Sequence, residues 1–239
     1  MTRRAASPAP LDVRLLDNHL LVVVKPAGLL AQADRTGDPD VLTLGKALVK
    51  AQFQKPGDVF LGLVHRLDRP VSGLMVLART SKAASRLSAQ FRDRTLAKTY
   101  VAVVEGRLDG SGTMEDWLAK TNETVRVVRA GAPGAKAARL RYEALAHADG
   151  LTLVGIRLDT GRAHQIRVQF ASRGHPLAGD RRYGASRGWP GGLALHSARL
   201  AFAHPTRPEA VDVRAAPAWP APWGEAAAAW IAALPSSDG

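Results

Sequence analysis

The sequence predicts an α+β domain, a mixed sheet with helices against it. Three observations carry this. Short apolar or alternating runs of strand type outnumber stretches with helical spacing, and the two kinds do not alternate strictly, which argues against a doubly wound parallel sheet. No internal repeat occurs at a solenoid period. At 239 residues with 46% hydrophobic and 23% charged side chains, the chain has the balance of a globular protein with a proper core. Residues 1–10 (MTRRAASPAP) read as a disordered tail, and residues 11–235 as one domain.

The elements follow in order. Residues 11–24 end in a β-branched run that Lys25-Pro26-Ala27-Gly28 breaks, predicting a buried strand and a turn. An Asp- and Gly-rich loop at 31–40 precedes a helix over 41–53, whose apolar positions Leu44, Ala47, Leu48 and Ala51 share a face. Residues 59–64 and 74–78 read as short strands around a polar, Pro/Gly-containing turn. Ser81 is the predicted N-cap of a helix with the stripe Ala84, Leu87, Phe91 and with Lys82, Arg86 and Arg92 opposite. Strands are expected at 99–105, 139–145 and 151–158, with 120–138 an exposed excursion or hairpin. A short helix is expected over 164–172, stopped by Gly174. Residues 197–202 read as the last strand and 223–234 as a closing helix.

Composition narrows the partners. Lys and Arg number 33 against 21 acidic residues, a net charge of +12. Residues 79–107 hold seven Lys/Arg against two acids, and 161–187 hold six Arg against Asp180 alone. Such clustering suits a polyanion whose counterions are released on binding. There is no cysteine, which excludes disulfides, a thiol nucleophile and Cys-ligated metal. The longest apolar runs are too short to span a bilayer, and the N-terminus has no signal-peptide pattern. The cytoplasm is the default expectation, without a membrane.

On local sequence alone Asp68 is a loop aspartate before Pro70, ready for a turn. Three segments taken together change this: GLVHRLDRPVSGLMVLAR at 62–79, KTYVAVVEG at 98–106 and GRAHQIRVQFASRGHPLAGDRRYG at 161–184. With LVVVKPAGLL at 21–30, and in the same order and comparable spacing, they resemble the RluA-type family of RNA pseudouridine synthases over about residues 15–205. HRLD with G-R-x-H-Q-I-R is a specific signature, and His65 favours the RluA-type over the RsuA-type branch. The resemblance implies a bent, largely antiparallel sheet with an RNA-binding cleft at the centre of the fold, and isomerisation of uridines in ribosomal or transfer RNA, with Asp68 as nucleophile. Tyr100 would lie against the target base, Arg167 would pair with Asp68, and Arg66 would fill the space left by the flipped nucleotide.

Elementary chemistry agrees with these roles. Asp68 must be ionised to attack the ribose at C1′ or take its C2′ proton, and a guanidinium within about 4–6 Å favours that state. Tyr100 offers a ring for stacking and a hydroxyl. Nothing is oxidised, so neither metal nor cofactor is called for. Flipping the base costs a few kcal/mol, which phosphate contacts offset. Arg79, Lys82, Arg162 and Arg182 are the arginines and lysine expected to touch RNA; His65 and His164 are further substrate-binding candidates, each with a structural hydrogen bond as the competing role. Lys25 is expected to shape the turn beside the site.

Ala163 and Val71 stand where relatives often carry Thr. Many relatives also have an N-terminal S4 domain, and with the catalytic region starting near residue 11 none is expected here. A monomer without an obligate protein partner is the default. Two other readings compete. A silent RNA-binding module has no use for a buried carboxylate, and a two-carboxylate hydrolase needs a second acid, for which Asp180 is the obvious candidate in what reads as a loop.

Overall fold

The computed structural model describes residues 11–121 and 124–236, so the expected tail at 1–10 lies outside the described residues. Strands β1 (Asp12–Leu16) and β2 (Leu20–Lys25) open the chain, followed by α1 (Val41–Gln52), β3 (Gly62–Leu63), β4 (Ser72–Ala78) and α2 (Ser81–Asp93). Then come β5 (Ala97–Glu105), β6 (Ser111–Thr121), β7 (Thr124–Val128), β8 (Lys136–Ala148) and β9 (Leu151–Leu158). Helix α3 (Gln165–Ala171), a single 3₁₀ turn (Arg181–Tyr183), β10 (Leu195–Ala203), β11 (Ala210–Arg214) and α4 (Trp223–Ala233) complete it. All strands join one sheet, ordered β1-β2-β4-β10-β5-β9-β8-β6-β7, with β11 on β10 and β3 on β4.

The sheet is antiparallel except where β10 runs parallel to β4, pairing His196 with Ser72 and Ser197 with Gly73. The expected mixed, largely antiparallel α+β architecture is therefore the one observed. Its centre is covered on both faces, which is why β2 reads as an unbroken apolar run rather than an alternation. Leu21 and Val23 share one core with α1, Tyr100 and Phe170 of α3. Leu20 and Val22 face the other way, onto α2 through Ala83 and Leu87. Helix α4 covers the same sheet further along, over Val101, Val103 and Leu153.

Several expected boundaries move. The stretch 11–24 is a hairpin of two strands, its turn held by Asp17 Oδ1, which accepts from the backbone of His19 and Leu20. Of 59–64 only Gly62–Leu63 pairs, with Ala78 and Leu77, because the chain then leaves the sheet to build the Asp68 loop. The N-cap of α2 is Thr80, not Ser81; its hydroxyl accepts from Ala83 N–H. The excursion at 120–138 is a hairpin continued into regular structure, since β6 pairs with both β7 and β8. β10 is not the last strand, because β11 adds to it.

One glycine fixes how the halves meet. Gly73, at φ +114°, ends the Asp68 loop, and a Cβ there would lie 2.4 Å from the backbone N and O of Ser197. Only glycine allows both that conformation and that approach. Gly73→Ala should lower stability by about 1–3 kcal/mol. Thermal melting checks this, and an unchanged Tm would contradict the close β4–β10 approach.

Candidate active site

The Asp68 loop is clamped from inside. Leu67 and Val71 are buried on either side of the carboxylate, and Val71 N–H closes a turn onto the Asp68 carbonyl at 3.0 Å. Beneath it Lys25, with no exposed surface, donates from Nζ to the carbonyls of Pro26 (3.0 Å), Leu29 (2.8 Å) and Arg69 (3.0 Å). Burial pushes its ammonium down to about 7, against the attraction of Asp68. The backbone N–H of Gly28 adds a bond to the Arg69 carbonyl at 2.8 Å. The KPAG turn and the HRLD loop are thereby one rigid piece, and Lys25 shapes the site as expected.

Arg167 reaches Asp68 from α3. Its NH1 donates to Asp68 Oδ2 at 3.0 Å, while Nε and NH2 donate to the two oxygens of Asp180 at 2.6 and 2.8 Å. The side chains of Arg167 and Asp180 are 6% and 2% exposed, whereas that of Asp68 is 33% exposed. Asp180 thus locks the guanidinium bidentately from below and leaves one nitrogen for the carboxylate that faces the cleft. Burial works against the charge of Arg167, but Asp180 and then Asp68 outweigh it and leave the guanidinium more firmly protonated than usual. The ring of Tyr183 sits 5.1 Å from the guanidinium carbon.

His164 occupies the left-handed turn that starts α3, at φ 51°. Its Nε2 lies 3.5 Å from Asp68 Oδ2, a close approach rather than a good hydrogen bond. Tyr183 Oη accepts from Val125 N–H at 3.0 Å and lies 2.7 Å from His164 Nδ1. In the tautomer whose Nδ1 accepts the phenol's hydrogen, the imidazole proton sits on Nε2, toward Asp68. Burial, opposed by Asp68, holds the His164 pKa below its ordinary value, so the ring is neutral at pH 7.

Tyr100 stands on β5, 8% exposed, in the wall of the cleft. Burial pushes its phenol up to about 12, so it is a protonated donor at neutral pH. His65 also lines the cleft, but its Nε2 accepts from Val76 N–H at 3.0 Å and its ring stacks on Phe91 with centroids 4.6 Å apart. Burial takes its pKa down to about 3, so it is a neutral brace.

The cleft measures about 520 Å³, and Asp68 is the one carboxylate among the described residues lining it. Arg66, exposed, and Arg162 line it, the latter anchored by Nε on the Ala137 carbonyl at 2.9 Å. The other expected contacts lie elsewhere. Arg79 donates to the Asp17 carbonyl and stacks over Phe53 at 4.1 Å. Lys82 is exposed at the start of α2, and Arg182 is exposed on the 3₁₀ turn, close enough for its charge to lower the pKa of His164. Arg92, Arg94 and Lys98 line the cleft instead.

The sequence reading names Asp180 only as a candidate second acid and misses its pairing with Arg167, and it misses Tyr183. The available signal was that an arginine buried in an apolar helix needs a carboxylate buried with it. Asp180 lies below Arg167 rather than in the cleft wall, so the second acid required for two-carboxylate hydrolysis is not presented to a ligand there.

Comparison with known proteins agrees with this geometry. The family described as RNA pseudouridylate synthase matches residues 19–172. The uncharacterized RNA pseudouridine synthase YhcT of Bacillus subtilis is 35% identical over 211 residues, 86% of this chain and 68% of its own length. The ribosomal large subunit pseudouridine synthase D of Zymomonas mobilis is 36% identical over 217 residues, 85% of this chain and 68% of its own. Among solved structures, Human RNA Pseudouridylate Synthase Domain Containing 1 superposes with a TM-score of 0.71 at 25% identity, covering 95% of this chain and 97% of that one. From motif order, fold and these matches, the chain belongs to the family of RNA pseudouridine synthases, isomerases that act on uridine within RNA.

Proposed function

We propose that the protein isomerises a uridine of large-subunit ribosomal RNA, with Asp68 as nucleophile and Arg167 and Tyr100 completing the catalytic group. The observation that carries the reading is a half-buried carboxylate, alone in a basic cleft, with a guanidinium nitrogen 3.0 Å away. Relatives named ribosomal large subunit pseudouridine synthases D and C supply the choice of RNA.

The target nucleotide is flipped into the cleft, and Arg66, exposed beside Asp68, takes its place in the stack. Asp68 attacks the ribose at C1′ or removes its C2′ proton, and the C1′–N1 bond breaks with its electrons going to the uracil. Confined against Tyr100, the uracil turns and C5 bonds to C1′ as the Asp68–C1′ bond breaks, or, on the C2′ route, as Asp68 returns its proton to C2′; the C5 proton then leaves to solvent and N1 takes one up. Arg167 aims the carboxylate and offsets its charge throughout. Tyr100, protonated at neutral pH, donates to the base or to a developing oxygen charge. Every named group comes from one chain, which supports action as a monomer.

Two measurements follow. Ribosomal RNA carrying tritium at uridine C5 should release tritium to water with the wild type and release essentially none with Asp68→Asn. Equal release by both would remove Asp68 from the mechanism. A wild type active on transfer RNA alone would overturn the ribosomal assignment. Arg167→Lys exchanges a rigid fork for a point charge, so turnover should fall about a hundredfold with RNA affinity largely kept. A collapse in affinity with a normal rate in the bound complex would show that Arg167 binds RNA instead of aiming Asp68.

A further inference from the structure

We propose that Lys98, flanked by Arg94 and Arg162, forms a phosphate-binding subsite in the cleft, gripping the backbone beside the nucleotide that Tyr100 and Asp68 receive. The proposal rests on the cleft being an RNA site, and it assigns a role to a lysine that no step of the chemistry above uses.

The position of Lys98 follows from strand geometry. Lys98 and Tyr100 are two apart on β5, so both side chains project from the same face, about 6.6 Å apart along the strand. That is the length scale of the step from a ribose to its neighbouring phosphate. Both line the cleft, as do Arg94 and Arg162. A Cβ on Gly161 would lie 3.1 Å from Lys98 Nζ, so the ammonium rests over bare backbone at the cleft rim.

Its charge is unsatisfied. Among the described residues the side chain of Lys98 makes no hydrogen bond and no ion pair, and neither does that of Arg94, although both backbones are bonded. Burial lowers the Lys98 pKa first, and the positive charges of Arg94 and Arg162 lower it further. Asp159 is the one attraction, and it already pairs with Arg139 at 3.2 Å and Arg141 at 2.9 Å. Arg162 is docked through Nε, which leaves its other nitrogens free to turn toward a ligand. Three mutually repelling cations with so little local compensation are unfavourable in the empty cleft and become favourable when an anion enters. Arg94 holds its place through backbone form, in the left-handed cap that ends α2 at φ 60°.

This arrangement predicts opposite effects on stability and on binding, which a packing role does not. Lys98→Met keeps the apolar stem and removes the repelled charge, so Tm should hold or rise. Binding of a fluorescein-labelled oligouridylate, measured by anisotropy over a series of KCl concentrations, should weaken about tenfold. The slope of log K against log salt should become shallower by about 0.7, the loss of one phosphate contact on a single strand. Lys98→Arg should restore most of the slope, and Lys50→Gln, on exposed α1 surface, should leave it as in the wild type. An unchanged slope with Lys98→Met, or a fall in Tm without a change in slope, would overturn the subsite. Tritium release by the wild type is measured in parallel; its absence would remove the synthase reading, while the salt slopes would still decide the phosphate site.

Discussion

The site depends on one buried cation shared unequally between two carboxylates. Arg167 is almost wholly withdrawn from solvent, a position that costs several kcal/mol for a charge without partners. Asp180, buried with it, satisfies two of its nitrogens and leaves the third directed at Asp68. Removing one member of such a buried pair typically costs about 3–5 kcal/mol. Asp68 is the more exposed of the two, so Asp180 bears the burial and Asp68 remains open to the cleft.

The rest of the fold serves that arrangement from both sides. Lys25 ties the KPAG turn to the backbone just after Asp68, so the loop cannot drift from the guanidinium. Gly73 lets β4 press against β10 directly after the loop, and Ser197 of β10 pairs in register with Tyr100 of β5. Asp68 and Tyr100, the proposed nucleophile and base-stacking ring, are thus fixed from neighbouring strands at the middle of the sheet. From the other side Tyr183 links β7 to His164, and through it to Asp68. The basic residues that remain in the cleft are offered to a ligand, which is what a backbone-gripping wall requires.

Much of the fold was legible in the sequence where the physical signal is local. Helices α1 and α2 showed their apolar spacing, and the core strands β2, β4, β5 and β9 showed short apolar runs. β6 and β11 were missed because acidic residues interrupt their apolar positions, as Glu115 and Asp116 do in β6 and Asp212 does in β11. At the site, Asp68, Tyr100 and Arg167 were legible from motifs, and the structure brings all three to one cleft. Asp180 was not, since its loop setting resembles any Gly-Asp turn and its partner lies in another element. The basic stretch 79–107 faces the cleft with its later residues, because α2 has Arg79 and Lys82 at its start and Arg92 and Arg94 at its end by the rim, where Lys98 follows on β5.

The most direct test of the account is the single-turnover rate of Asp180→Asn with saturating RNA, measured well below the Tm of the variant. If Asp180 acts by holding Arg167 so that Asp68 is aimed, the rate in the bound complex falls about a hundredfold while RNA affinity changes little. A bound-complex rate equal to that of the wild type would contradict it, because Arg167 would then need no anchor to serve Asp68.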